Sequence, residues 1–233
     1  MKTAILTGSS KGIGKALLKR LLSLDYKVYG LSRTPQSPME NFIPVECDLL
    51  DTDKLIETIK SIEKKEPNIH LLVNNAGVGF FGPHEEINVK NIQTMLRTNL
   101  EVPIILTHLL LRTLKKNKGM IISISSVTAK KVSTHGCAYS ASKAGLTHFY
   151  TSLFEEVRKT GVKITTIHPD MTKSNFYDNS NFIYDEDDDD SVLLEEQIAD
   201  TLEYALTASK NLVVNDITLR PQKNKIKRKE PKK

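Results

Sequence analysis

Residues 7–14 read TGSSKGIG. A short apolar run, KTAIL at residues 2–6, comes before them. Residues 15–24, KALLKRLLSL, follow with leucines at helical spacing. This setting gives the glycines meaning, because a glycine pattern alone is common. Gly8 permits a sharp turn out of the strand. Gly12 removes a side chain where a phosphate must approach, and Gly14 lets the helix pack closely on the sheet. The helix start adds unpaired N–H groups and a positive dipole end, which suit an anion such as a pyrophosphate.

Outward from this turn, strand-like and helix-like stretches alternate. Short apolar runs at residues 27–31, 43–47, 69–73, 119–124, 162–167 and 212–219 read as six further strands. Helical patterns occupy 52–64, 87–97, 103–114, 140–159 and 191–206. Such alternation argues for a parallel sheet covered on both faces. The near-continuous apolar runs at 71–73 and 120–124 suit its buried centre. No repeat of 20–50 residues interrupts the pattern. The expected organisation is one catalytic domain over 1–221, a substrate-covering loop at about 171–192, and a disordered tail over 222–233.

Bulk properties narrow the function classes. The chain has 233 residues, 39% hydrophobic and 26% charged, which suits one soluble domain with a real core. Its longest apolar runs are too short for a membrane span or a signal-peptide core. Cys47 and Cys137 match no metal or redox spacing and fit free thiols in the cytoplasm. The net charge is +5, yet residues 223–233 alone hold seven Lys/Arg and one Glu, so the body is close to −1. The positive charge therefore belongs to a tail expected to be solvated, and no nucleic-acid-binding face is expected on the domain. Residues 185–190, DEDDDD, read as a solvated acidic loop rather than a metal site, because consecutive carboxylates of an extended chain point apart and repel.

Further signals stand in order after the strands: NNAG at residues 74–77, Asn99 in TNLEVP, Ser125 and Ser126 after the fifth strand, and AYSASK at residues 138–143. With TGxxxGxG at the start, this chain resembles the short-chain dehydrogenase/reductase family, NADP-dependent type, from Thr7 to about Pro221. The resemblance implies a Rossmann-type doubly wound parallel sheet of about seven strands in three α/β/α layers. It implies an oxidoreductase that moves a hydride between NADP(H) and a carbonyl or secondary alcohol. Matched by motif, the cofactor side takes Gly8, Ser10, Lys11, Gly12, Ile13, Gly14, Asp48, Leu49, Asn75, Ala76, Gly77, Pro169 and Thr172, together with Tyr139 and Lys143. At HPDMT, residues 168–172, Asp170 stands where the family usually has glycine.

The choice of nucleotide has its own reading. Dinucleotide folds that take NAD usually place a carboxylate at the end of the second strand. Here residues 31–34 read LSRT, and no acid comes before Glu40. Arg33 offers a fork for a ribose 2′-phosphate, Ser32 and Thr34 add hydroxyls, and Lys11 adds a second cation. NADP(H) is the expected cofactor, and no metal is expected.

Tyr139 and Lys143 stand four apart and share a helix face. An ammonium near a phenol favours the phenolate and lowers the tyrosine pKa, which makes a general acid/base. Ser126 can donate to a substrate carbonyl oxygen. In the family the asparagine matched by Asn99 holds a water that relays protons to the lysine. The expected catalytic set is therefore Asn99, Ser126, Tyr139 and Lys143.

Phe176, Tyr177, Phe182 and Tyr184 in the covering loop, with Phe80 and Phe81, suggest an apolar or aromatic carbonyl substrate. The acidic run beside them disfavours anionic substrates and acidic acyl carriers. The resemblance also implies a homodimer or homotetramer. An NADPH-dependent carbonyl reductase or alcohol dehydrogenase leads. A 3-oxoacyl-thioester reductase or hydroxysteroid-like dehydrogenase is the alternative within the class. A non-catalytic NADP-binding regulatory protein is the alternative outside it.

Overall fold

Seven parallel strands form the centre of the molecule: β1 (Lys2–Thr7), β2 (Tyr26–Ser32), β3 (Phe42–Glu46), β4 (Ile69–Asn74), β5 (Met120–Ile124), β6 (Lys163–Pro169) and, after a short β7 (Phe182–Tyr184), β8 (Asp216–Leu219). The computed structural model describes residues 1–177, 180, 182–185, 187–223 and 225–229. The sheet order is β3-β2-β1-β4-β5-β6-β8. The order reverses direction between β1 and β4, and at such a switch point the loops after the two strands diverge and leave a crevice.

The helices are α1 (Gly12–Ser23), α2 (Thr52–Lys65), α3 (Val89–Leu96), α4 (Val102–Asn117), α5 (Cys137–Val157) and α6 (Glu195–Thr207). They divide between the two faces of the sheet. Ile5, Leu72 and Ile121 pack with α2, α4 and α5 residues such as Leu55, Leu106 and Tyr150. Ala4, Leu6, Leu71, Val73 and Ile122 pack on the other face with α1 and α6 residues such as Leu17, Leu21, Ile198 and Leu202. Neighbouring strand residues thus feed opposite layers, as a period of two requires. The result is the expected Rossmann-type three-layer arrangement.

The structure departs from the sequence expectations at several element ends and in the tail; α1 begins at Gly12, three residues early, and α6 at Glu195, four residues late. The helix carrying Tyr139 begins at Cys137, three residues early. The last central strand starts at Asp216, four residues late. Between α3 and α4 the chain does not break; residues Arg97–Glu101 form one π-helical turn. Such wide turns bring an extra backbone position to bear and are frequent at functional sites.

The largest departure is the tail. Ile226–Arg228 forms a strand, β9, antiparallel to β7 in the covering loop. The tail is therefore not free over these residues. Its lysines face the acidic run, where each charge supplies a partner for the other. Of the expected loop, acidic run and tail, residues 178, 179, 181, 186, 224 and 230–233 lie outside the described residues.

Candidate active site

The turn after β1 is held by backbone sterics. Gly8 and Gly12 both adopt left-handed conformations, with φ of 70° and 59°. A Cβ on Gly14 would fall 1.9 Å from the Gly8 carbonyl oxygen and 2.6 Å from Asn75 Nδ2. The helix must therefore start flush against the strand exit. Asn75 closes the turn by donating its side-chain amide to the Thr7 and Gly8 carbonyls, at 2.9 and 3.2 Å. Thr7 Oγ1 in turn accepts from the Asn75 and Ala76 N–H groups. Thr7 was not singled out as a site residue, although a hydroxyl directly before a glycine turn is the available signal.

The corner beside this turn collects the residues expected to meet a ribose phosphate. Ser32 ends β2, and its hydroxyl is buried with no hydrogen-bond partner. Arg33 and Lys11 are exposed, and among the described residues neither makes an ion pair. Gln36 donates to the Ser10 carbonyl at 2.8 Å and ties the loop after β2 to the glycine turn. Asp48 is exposed, and its carboxylate accepts from the Leu50 N–H. No side chain caps the start of α1, so its first N–H groups are left without a side-chain partner beside Gly12 and Gly14. A buried unpartnered hydroxyl, two free cations and an uncapped helix start fit a phosphorylated dinucleotide.

The chemical end lies at the exits of β4 and β5. Tyr139 and Lys143 are both buried on α5. Lys143 Nζ donates to the Ile124 carbonyl at 2.9 Å and lies 5.9 Å from the centroid of the Tyr139 ring. Ser126 Oγ accepts from the Thr128 N–H and the Thr128 hydroxyl, at 3.1 and 3.0 Å. With both acceptor positions taken, the Ser126 proton is free to be donated. The Ser126 side chain is near enough to the Tyr139 phenol to favour its ionised form. Thr128 therefore orients the serine, a role the sequence reading missed. Ser125 is committed elsewhere, to Thr147 Oγ1 at 2.9 Å and to the Lys143 carbonyl at 3.3 Å.

Asn99 sits in the π turn, fully buried. Its side chain pairs with both the N–H and the carbonyl of Val78, each at 2.9 Å, and donates to Ser142 Oγ at 3.1 Å. Ser142 thus joins the site; its hydroxyl also donates to the Tyr139 carbonyl at 2.6 Å. A Cβ on Gly77 would lie 3.4 Å from Asn99 Oδ1 and 3.5 Å from Lys143 Nζ. Asn75, Gly77, Asn99, Ser126, Tyr139 and Lys143 therefore converge on one crevice.

The expected tuning of the tyrosine is corrected in one respect. Burial pushes the Tyr139 phenol up to about 12, against the pull of Ser126. Burial also pushes the Lys143 ammonium down to about 8. Desolvation dominates both groups, and aromatic side chains close over the tyrosine. Phe81 and Phe176 lie 5.3 and 5.6 Å from the Tyr139 ring, and Tyr177 and Phe182 extend the cluster. Phe80 takes no part among the described ring contacts, and Tyr184 packs instead with Met171 and Val192.

After β6, Asp170 accepts from Lys131 at 3.1 Å, from Arg220 at 3.2 Å and from the Met171 N–H at 3.0 Å. The carboxylate in place of glycine is thus satisfied, and it pins the start of the covering loop. Pro169 ends β6, and Thr172 donates its hydroxyl to the Asp170 carbonyl at 2.9 Å. His168 is buried, with Nδ1 3.2 Å from the Ser126 carbonyl and Nε2 2.9 Å from Asp216. It braces the turn that carries Ser126. One contact stands against an anion: the Glu195 carboxylate lies 3.6 Å from the position a Cβ on Gly12 would take.

Among the described residues no group of three or more His, Cys, Asp or Glu could hold a metal ion. No helix among them is long and apolar enough to cross a membrane.

Comparisons with known proteins agree with this arrangement. A family model for short chain dehydrogenases matches residues 2–182. A 3-oxoacyl-[acyl-carrier-protein] reductase of Buchnera aphidicola subsp. Acyrthosiphon pisum is 33% identical over 192 residues, 78% of each chain. A serine 3-dehydrogenase of Agrobacterium fabrum is 28% identical over 232 residues, 94% of this chain and 93% of that one. The solved structure of an alcohol dehydrogenase from the archaeon Thermococcus sibiricus superposes with a TM-score of 0.84 at 20% identity, covering 95% and 97% of the two chains. The chain belongs to the short-chain dehydrogenase/reductase family of oxidoreductases acting on CH–OH groups.

Proposed function

We propose that this protein is an NADPH-dependent carbonyl reductase, able to run in reverse as an alcohol dehydrogenase, with Tyr139 as general acid and base. The observation that carries the reading is the burial of Ser126, Tyr139 and Lys143 together, with Lys143 Nζ 5.9 Å from the centroid of the Tyr139 ring and Thr128 orienting the serine.

The bound nicotinamide would supply a hydride in its reduced form and accept one in its oxidised form. Gly8, Ser10, Lys11, Gly12, Ile13, Gly14, Asn75, Ala76 and Gly77 line its expected cradle; Asp48 and Leu49 are assigned to the adenine side, and Pro169 and Thr172 to the nicotinamide side. Ser32, Arg33 and Thr34 take the ribose phosphate, which favours NADP(H) over NAD(H).

In reduction, Ser126 Oγ donates a hydrogen bond to the carbonyl oxygen, where negative charge develops. Tyr139 Oη gives its proton to the same oxygen, and burial keeps the phenol protonated until that moment. The Lys143 ammonium stabilises the phenolate left behind. Asn99, locked by Val78 and Ser142, holds the π turn beside the lysine, and the proton returns along this side. In oxidation the same residues act in reverse order.

The rings of Phe81, Phe176, Tyr177 and Phe182 select an apolar or aromatic carbonyl compound. A 3-oxoacyl thioester is the second reading. It is favoured by the relative of that name and by the pairing of the acidic run with the tail, which reduces the repulsion expected against an acidic carrier. The half-buried apolar side chains Ile105, Leu109 and Phe149 on α4 and α5 suit a homodimer or homotetramer contact. The exposed free thiol of Cys137 suits the cytoplasm.

The test is NADPH oxidation against a panel of ketones, aldehydes and 3-oxoacyl thioesters. Tyr139→Phe should lower turnover about 10²- to 10⁴-fold while leaving NADPH binding within about twofold. If wild type and variant bind NADPH yet neither oxidises it with any carbonyl, the protein is a cofactor-binding regulator instead.

A further inference from the structure

The acidic run and the basic tail were each expected to be solvated; in the fold they meet. Lys223 pairs with Asp188 and Asp190 at 3.2 and 3.0 Å. Lys225 pairs with Asp188 at 2.5 Å, and Lys227 with Asp185 and Asp187 at 2.5 and 3.0 Å. The Lys223 N–H also donates to the Asp190 carbonyl at 2.8 Å. Between these charges the two segments form a ladder in which Phe182, Ile183 and Tyr184 stand opposite Arg228, Lys227 and Ile226. Beyond the ladder, Lys229 donates to the Tyr177 carbonyl.

This hairpin-like pair stands apart from the central sheet. Two three-residue strands are marginal in water unless something else holds them together. The apolar packing on this side is limited to Met171, Tyr184 and Val192 with a few half-buried neighbours. What the ladder does have is a set of ion pairs at one end, between the acids that follow β7 and the lysines at 223, 225 and 227. Single exposed ion pairs contribute little, whereas a network of several charges on one frame contributes more.

The position of the ladder gives it a consequence. β7 begins with Phe182, whose ring packs 5.2 Å from Phe81, and Phe81 packs on Tyr139. Tyr177, held at its carbonyl by the tail, packs 5.2 Å from Phe176, which also touches Tyr139. The tail therefore grips the covering loop at Tyr177, next to the Phe176 ring that packs on Tyr139, and at Phe182, whose ring backs Phe81 against Tyr139.

We propose that the C-terminal strand is an electrostatic strap that sets substrate access and selection: the lysines at 223, 225 and 227 hold the acidic loop shut, so that Phe176, Tyr177 and Phe182 wall the chamber above Tyr139. The role in selection rests on the carbonyl reductase reading; the strap itself does not. Because the clamp is a set of exposed ion pairs, salt loosens it, with a screening length of about 10 Å at 0.1 M. The same pairing withdraws these lysines from any external anionic partner.

The experiment uses the full chain and three double variants: Lys225→Glu with Lys227→Glu, Lys225→Gln with Lys227→Gln, and Lys225→Arg with Lys227→Arg. Hydrogen exchange is followed at the β7 amides, together with ketone KM and kcat, between 20 mM and 1 M KCl. Charge reversal should speed β7 exchange at least tenfold at low salt, the glutamine variant should fall between, and the arginine variant should match wild type. Wild type at 1 M KCl should approach the reversal variant. Ketone KM should shift at least threefold in the reversal variant, with the Kd for NADPH unchanged. Equal β7 exchange in wild type and the reversal variant, or no response to salt, would overturn the strap. If exchange responds but wild type reduces no carbonyl, the strap stands and the functional reading fails.

Discussion

The glycine turn and the covering loop enclose one crevice from opposite sides, and they are built by opposite means. The turn is fixed by excluded volume: a Cβ at Gly14 has no room, and Asn75 and Thr7 tie the backbone to β4. The loop is fixed by side chains reaching across from a distant part of the chain, in five ion pairs to three lysines. Excluded volume is indifferent to salt and pH, whereas exposed charge pairs respond to both. The side that holds the cofactor is thus set, and the side that meets the substrate is adjustable.

The sharpest way to break the rigid side is Gly14→Ala. The added methyl meets backbone at 1.9 Å, so strand and helix must part. The expected cost is about 3 kcal/mol, or a fall in Tm of roughly 10 °C, unchanged between low and high salt. A thermal melt at two KCl concentrations measures it; a salt-dependent loss would show that the turn, too, leans on charge.

Next in size is Arg33→Ala. The guanidinium is exposed and has no ion-pair partner among the described residues, and it follows Ser32, whose buried hydroxyl is unpartnered. Charge-assisted hydrogen bonds of this kind contribute about 1.5–3 kcal/mol. NADPH should bind roughly 10- to 100-fold more weakly, and NADH nearly as before. Fluorescence titration with both nucleotides gives the ratio, and equal losses would remove the phosphate role.

The pH dependence comes third and probes the seam between the two sides. Burial lowers Lys143 to about 8, so its ammonium fraction falls as pH rises through that value. Reduction needs the ammonium and a protonated Tyr139, which holds its proton up to about 12. The kcat/KM for reduction should be level below about pH 8 and fall roughly tenfold per unit above it. Lys143→Met should lower the plateau and erase that limb.

These contrasts also explain what could be read in advance. The turn, the alternation of strands and helices, and the pairing of Tyr139 with Lys143 follow from local patterns: glycines between a strand and a helix, apolar periodicity, and side chains four apart on one helix. The doubly wound sheet and the parts of Asn99 and Ser126 come from the resemblance to the family. Thr128, Ser142 and His168 escaped notice because a hydroxyl or imidazole that orients a neighbour has no spacing of its own. Each is visible only as a filled hydrogen-bond position. β9 escaped for a different reason. Residues 225–229 are almost wholly basic, a composition that reads as solvated, and they form a strand only by pairing with the apolar β7, whose following acids take up the lysine charges.

The smallest expected effect lies where the two sides touch. Glu195 opens α6, directly after the covering loop, and its carboxylate rests beside Gly12. Burial and the neighbouring Glu196 raise its pKa, against the pull of Lys15 and Lys19. A carboxylate at the phosphate turn repels an anionic ligand that the glycines and the helix start attract. Glu195→Gln should tighten NADPH binding about two- to fivefold at low salt, with the gain shrinking as salt screens the repulsion. Weaker binding in Glu195→Gln would mean that the carboxylate holds the turn in shape, and that the adjustable side of the crevice supports the rigid one.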